Sequence, residues 1–196
     1  GLIYPSFESR AEIARLVEAR EKAAPWPRDP DGAPLYPGMA KSLSPDERQR
    51  LIASGAPFAL RLDMEAAISR AGPLAWTEQG AGPGGETGEV LARPEAWGDV
   101  VLARKDIGTS YHSAVVTDDA RQGIPHVVRG RDLFHATAIH RLLQQILALP
   151  VPRYFHHALV GDETGRKLSK SLGSRSLSDL RQEGISAAEV RKALDF

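Results

Sequence analysis

Lys167 and Lys170 lie three residues apart, with Ser169 between them, in the segment Gly165-Arg166-Lys167-Leu168-Ser169-Lys170-Ser171. Two ammonium groups and a hydroxyl on a glycine-led loop suit a polyphosphate. Fixed cations stabilise the charge that develops as a phosphoanhydride breaks, by several kcal/mol in a dry site. The competing reading is a basic loop that only faces water.

Other residue patterns are weaker as chemistry. Gly80, Gly82 and Gly85 satisfy G-x-G-x-x-G, but no strand is expected to lead into them and no helix to follow before Pro94, so a dinucleotide site is not expected. Of the six histidines, His135 and His140 are off a shared helical face, and His156 and His157 point to opposite sides of a strand. Satisfied or surface roles suit them better than metal binding. Trp26, Trp76 and Trp97 are read as loop residues that pin their loops rather than stack on bases.

The elements that position these residues follow from capping and periodicity. Ser9 with Glu12, and Ser44 with Pro45 and Glu47, have capping-box spacing, and Gly55 is a stop. The stretch 24–38 reads as a loop. Phe58 to Leu62 and Val100 to Arg104 read as strands, as does the Ala114-Val115-Val116 run. Leu74 to Trp97, with its flexible glycine-dense centre at Gly80 to Gly88, resembles an insertion more than a core layer.

His126-Val127-Val128 reads as a short buried strand ending at Arg129-Gly130. Phe134, Ala138, Leu142 and Ile146 then share a helical face, with Asp132 placed to cap the helix, and Tyr154 to Val160 forms the next strand. Strand, helix and strand make a βαβ unit and a parallel sheet. Ligands collect beyond the carboxyl ends of such strands, here the loops Arg129 to Asp132 and Gly161 to Ser171. Ser176 with Asp179, and Ser186 with Glu189, open two closing helices.

Composition sets outer limits. The 196 residues are 42% hydrophobic, enough for a core, and carry 25 basic and 25 acidic residues. The balance neither supports nor excludes an RNA partner. There is no cysteine, so disulfides and thiolate metal sites are excluded. No apolar run approaches the roughly 20 residues needed to cross a bilayer, and no signal peptide opens the chain. A cytoplasmic location is expected.

Lys167-Leu168-Ser169-Lys170-Ser171 resembles the Lys-Met-Ser-Lys-Ser signature of class I aminoacyl-tRNA synthetases, and Val127 to Leu133 and Pro152 to His156 also fit that family. Along nearly its whole length the chain is similar to the glutamyl-Q tRNA(Asp) synthetases, compact relatives of glutamyl-tRNA synthetase without an anticodon-binding domain. The resemblance implies ATP, with Mg2+, as cofactor, L-glutamate as substrate and tRNA(Asp) carrying queuosine as acceptor, in a monomer. Glutamate would be activated as its adenylate and passed to the queuosine base. Lys170, assisted by Lys167, would carry the catalytic charge, and Lys167, Leu168, Ser169, Lys170 and Ser171 would bind ATP. Tyr111 and Arg129 match the tyrosine and arginine that hold glutamate, and a guanidinium fork suits a carboxylate. For Arg129 the alternative is a structural ion pair at a strand end.

The same resemblance implies an α/β fold, the C-terminal part of a class I synthetase Rossmann-like parallel sheet with an inserted α+β subdomain. Its expected divisions are a helical segment over 1–57, an insertion resembling an acceptor-binding subdomain over 58–110, and the second half of the nucleotide-binding domain over 111–196. Two departures matter. The N-terminal His-Ile-Gly-His-like ATP signature is absent, which fits a chain beginning at Gly1, inside the family's sequence, and without upstream residues activation is not expected. The positions matching a family zinc site are Ser6, Glu8, Tyr36 and Ala40; Ala40 offers no ligand, so no zinc is expected. A glutamyl-tRNA synthetase catalytic fragment and a non-catalytic binding relative are the rival functions.

Overall fold

Local chemistry sets where the helices begin. The computed structural model describes residues 1–162, 168 and 173–194. Within them Ser9 opens α1 (Arg10–Glu21): its hydroxyl accepts from the Glu12 N–H, and the Glu12 carboxylate accepts from the Ser9 N–H. Ser44 and Glu47 repeat the exchange at α2 (Pro45–Ala53), which stops before Gly55 at φ 75°. The expected boxes at Ser176 and Ser186 likewise open α6 (Leu177–Gln182) and α7 (Ala187–Ala193). Each box satisfies amide donors that the first helical turn leaves without partners.

The strands form two sheets. β1 (Ile3–Ser6), β2 (Ala59–Leu62) and β5 (Val101–Ala103) make an antiparallel sheet in the order β1-β2-β5. The second sheet runs β4-β3-β7-β6, from β3 (Ala75–Glu78), β4 (Gly88–Leu91), β6 (His126–Gly130) and β7 (Arg153–His157). β6 and β7 are parallel, in register from His126 opposite Arg153 to Gly130 opposite His157, and α5 (Thr137–Ile146) crosses between them. The expected βαβ unit is therefore present. β3 also pairs parallel with β7, at Glu78 opposite Tyr154, and antiparallel with β4.

Several local expectations are corrected. The stretch from Leu74 to Trp97 is not peripheral, because β3 is an inner strand of the second sheet and Leu74, Trp76 and Trp97 are buried. Trp26 does pin its loop, donating to the Leu35 carbonyl at 2.8 Å. Ala114-Val115-Val116 lies in α4 (Tyr111–Gln122), not a strand. A three-residue apolar run carries no period, and the Ser110 cap, whose hydroxyl accepts from the Ser113 N–H, decides for helix. Asp132 falls in a 3-10 turn (Arg131–Leu133), and α5 starts later, with Ala136 at its N-cap. β6 is an edge strand with Val128 67% exposed, so it is not buried on both faces.

Strand pairing crosses the expected divisions: β1 joins β2 across 57/58, and β3 joins β7 across 110/111. α5 supplies the centre of the core. Ile139, Leu142 and Leu143 pack with Leu62, Leu74 and Trp97, while Ala138 and Phe134 pack with Trp76 and Tyr154 on the sheet. Each large apolar side chain so buried contributes roughly 1.5–3 kcal/mol. α3 (Met64–Ala71) packs against α5, so both sheets are held to one helix.

Candidate functional site

Arg129 sits one residue before the carboxyl end of β6, in an alternating strand where it is the buried residue. Three of its five N–H donors are engaged within the fold, one on each nitrogen, and each partner is neutral. Nε donates to His156 Nε2 at 3.0 Å, Nη1 to His140 Nδ1 at 3.0 Å and Nη2 to Thr137 Oγ1 at 2.6 Å. The Tyr154 ring lies 5.1 Å from the guanidinium carbon. None of the salt bridges among the described residues includes Arg129. The alternative of a structural ion pair therefore finds no carboxylate partner here.

The partners come from three elements. His156 is the inward residue of β7, while His157 faces out, as strand alternation requires. Thr137 and His140 sit three apart on the buried face of α5. Behind His156, Glu78 at the end of β3 accepts from the His156 backbone N–H at 2.9 Å and from Nδ1 at 2.6 Å. Because Arg129 has only donors, His156 Nε2 must accept and Nδ1 must carry the proton. Burial lowers the imidazole's proton affinity more than the Glu78 bond raises it. Burial also disfavours the Glu78 carboxylate, yet the His156 N–H and imidazole outweigh that and hold it below its ordinary value. The pair is thus a neutral imidazole on a carboxylate, and the Glu78 charge stands one ring away from Arg129.

The glycine-rich loop after β3 serves this arrangement. A β-carbon on Gly80 would lie 2.6 Å from the His156 carbonyl oxygen, so only glycine allows the loop to lie on β7. The Gly80 N–H also donates to Glu78 Oε1 at 2.9 Å. A strand does lead into Gly80-x-Gly82-x-x-Gly85, but the antiparallel β4 follows instead of a helix. The loop is a hairpin turn and no dinucleotide cradle.

Tyr111, the first residue of α4, is 49% exposed. Its ring meets His140 edge-on at 5.6 Å between centroids, and His140 contacts Arg129 on its other side. The two residues expected to act together therefore flank one imidazole. Tyr111 and His112 border a groove of about 910 Å3 between the antiparallel sheet and the residues before it; Arg129 does not line it. The remaining expected residues, Lys167, Ser169, Lys170 and Ser171, lie outside the described residues. Leu168 is described, and its N–H donates to the Val160 carbonyl at 3.0 Å.

Comparison with known proteins relates the chain as a whole to one family. The family model described as tRNA synthetases class I (E and Q), catalytic domain, matches residues 2–194. The chain belongs to that family. A Rhodobacter capsulatus protein named glutamyl-Q tRNA(Asp) synthetase is 44% identical over 99% of this chain and 67% of its own length. One of the same name from Symbiobacterium thermophilum is 34% identical over 97% of this chain and 54% of its own. A Nitrosococcus oceani glutamate–tRNA ligase is 35% identical over 93% of this chain, which spans only 35% of that relative. The crystal structure of a glutamate-tRNA synthetase from Elizabethkingia anophelis superposes with a TM-score of 0.67 at 22% identity, over 88% of this chain and 33% of that one. That likeness shows the class I α/β fold.

In this tRNA synthetase domain the four positions matching a zinc site do converge, but on a guanidinium. Ser6 Oγ accepts from Arg61 Nε at 3.1 Å, and Arg61 Nη1 donates to the Asp99 carbonyl at 2.8 Å. The Arg61 guanidinium carbon lies 3.7 Å from the Tyr36 ring centroid. The Tyr36 hydroxyl donates to Glu8 Oε1 at 3.0 Å and accepts from the Ala40 N–H at 2.9 Å. Glu8 Oε2 is buried without a hydrogen-bond partner. One open oxygen beside a cation, with no donor from Ala40, does not fit a zinc site.

Glu78, Thr137, His140 and His156 were not singled out as a site from sequence. For His156 the signal was present, since one of two adjacent strand histidines must face inward. Glu78 had none, because its partner lies 78 positions away.

Proposed function

We propose that this chain is the glutamate-binding part of a ligase. In this reading it activates L-glutamate with ATP and transfers the glutamyl group to the queuosine base of tRNA(Asp). The observation that carries the reading is Arg129: a buried cation held by three neutral acceptors. Burying an unpaired charge is costly, and a substrate carboxylate arriving at that charge relieves the cost. Positioned by His156, His140 and Thr137, Arg129 meets the carboxylate in a fixed orientation, and the Tyr111 hydroxyl adds a hydrogen bond from beyond His140.

The chemistry would proceed in two displacements. The glutamate α-carboxylate would attack the α-phosphorus of ATP and pyrophosphate would leave; Mg2+ bound with ATP would supply charge neutralisation of the phosphates. A nucleophile on the queuosine base then attacks the acyl carbon, and AMP leaves. Lys167 and Lys170, with Leu168, Ser169 and Ser171, would hold the phosphates and stabilise the leaving charge. The protein would act as a cytoplasmic monomer without zinc. The base-modifying reading is favoured over an ordinary glutamyl-tRNA synthetase by the higher identity to the Rhodobacter relative, 44% against 35%.

The test is a charging assay on the full native protein with labelled glutamate, ATP, and either tRNA(Glu) or tRNA(Asp) with and without queuosine. Label on modified tRNA(Asp) alone is expected. Label on tRNA(Glu) would establish the ordinary synthetase, and no label on any tRNA would point to a non-catalytic relative.

A further inference from the structure

Arg129 dictates more than its own contacts. A guanidinium has no acceptor, so His140 Nδ1, 3.0 Å from Nη1, must offer its lone pair and the His140 proton must sit on Nε2. His140 Nε2 lies 3.2 Å from His112 Nδ1. His112 Nδ1 must then accept, and its own proton must sit on Nε2. Adding a second proton to either ring would set two N–H groups against each other. Burial, and after it the charge of Arg129, push both imidazoles toward the neutral form, His140 to about 2.

The outer edge of His112 is available. Among the described residues Nε2 makes no hydrogen bond, the ring is half-buried, and the residue borders the same groove as Tyr111. The ring is held between Trp97, 6.1 Å away by centroid, and Tyr111, 5.8 Å away, both edge-on. Few groups on this side of the site have a hydrogen so firmly assigned: Arg129 fixes His140, and His140 fixes His112.

We propose that His112 is a further substrate-binding residue, whose Nε2–H, held in place by Arg129 through His140, donates to a carboxylate oxygen of glutamate beside Tyr111. The proposal rests on the glutamate reading of the site. The relay couples two contacts at one substrate. The same cation that attracts the carboxylate also keeps a donor, and never an acceptor, facing it. A neutral histidine free to exchange tautomers would present a lone pair to the anion part of the time.

The experiment combines nitrogen NMR of the imidazoles with titration of L-glutamate into the full native protein. Free protein should show His112 and His140 as Nε2–H tautomers and His156 as Nδ1–H, and glutamate should shift His112 Nε2. His112→Asn keeps an acceptor near the Nδ1 position and removes the outer donor, so glutamate affinity should fall about ten- to hundredfold with folding intact. His112→Gln places an amide N–H near the Nε2 position and should stay within about threefold of the parent. A purely structural His112 would reverse that order, because only Asn preserves the inner bond to His140. An Nδ1–H tautomer at His112, or an Asn variant that binds like the parent while Arg129→Met does not bind, overturns the proposal and leaves the glutamate reading standing. Failure of the parent protein itself to bind glutamate overturns both.

Discussion

The chain holds two arginines in polar clusters, Arg129 buried and Arg61 half-buried, and the company each keeps separates recognition from architecture. Around Arg61 stand Glu8, Asp99, Tyr4 and Tyr36; burial lowers its proton affinity, and the neighbouring carboxylates work against that loss. Around Arg129 stand two neutral imidazoles and a threonine hydroxyl. Arg129 makes three hydrogen bonds and Arg61 two, so each keeps part of its five-donor fork unused by these contacts. The carboxylates near Arg61 belong to its own cluster, whereas Glu78 reaches Arg129 only through the His156 ring and Asp119 acts on it without a hydrogen bond. A cation whose charge is answered within the fold has little left for a ligand, whereas one held by neutral acceptors is poised for an anion.

Exchanging each arginine for methionine should give opposite outcomes. Arg129→Met should weaken glutamate binding by about 2–5 kcal/mol, roughly thirtyfold to several thousandfold, the usual cost of removing one partner from a buried charge-assisted pair. Saturating glutamate should therefore raise the melting temperature of the parent protein but not of this variant. Binding within tenfold of the parent would break the comparison. Arg61→Met should behave the other way, lowering stability by about 2 kcal/mol as Ser6 Oγ and the Asp99 carbonyl lose their donor. Its response to glutamate should survive, and urea unfolding with and without glutamate reads both quantities.

Acid should distinguish the clusters next. His112, His140 and His156 all have folded proton affinities below the ordinary 6.5, with burial the leading cause for each. As pH falls through about 6.5 the unfolded chain takes up these protons first, so the stability present above that pH is lost on acidification. The slope reaches about 1.4 kcal/mol per pH unit for each imidazole still neutral. Glu78 follows lower down: its carboxyl is held below its ordinary 4.5, so its contribution fades as pH drops through that depressed value. The Arg61 cluster contains no histidine. His140→Asn should flatten the decline between pH 6.5 and 5 while Arg61→Met leaves its slope unchanged; urea midpoints at half-unit intervals would show it.

What could be read from sequence depended on how far each signal reaches. Serine caps three residues from their acidic partners were legible, as at Ser9 and Ser44, because both halves of the motif are adjacent. The β6–α5–β7 crossover was legible from the apolar period of α5 and the strands beside it. The place of β3 was not. Ala75-Trp76-Thr77-Glu78 follows a proline and precedes a run of glycines; β4 pairs with it along its length, but its inner position in the sheet depends on β7, some 76 residues on. Arg129 and Tyr111 were reached through a family likeness, and nothing near them in sequence announces His140 or Glu78. The neutrality of the Arg129 partners, which gives that residue its significance, exists only in three dimensions.

The smallest expected effect concerns how the site is presented. Ser110 caps α4, accepting from the Ser113 N–H, one position before Tyr111 and two before His112. Ser44 caps α2 by the same exchange, away from both residues. Replacing either serine by alanine should cost about 1 kcal/mol of stability, the common value for an N-cap. Equal costs in stability should not bring equal costs in binding. Without its cap the first turn of α4 frays, and that turn carries the Tyr111 ring against His140 and the His112 Nδ1 against His140 Nε2. Ser110→Ala should therefore raise the Kd for glutamate about two- to fivefold, whereas Ser44→Ala leaves it unchanged, since losing a few tenths to about 1 kcal/mol of preorganisation is enough for that difference. Calorimetric titration of the two variants, compared at matched folded fraction, makes the measurement. Identical affinities would mean that the Tyr111–His112 turn is held by its contacts with His140 and Trp97 alone, and the helix start would then have no part in positioning the site.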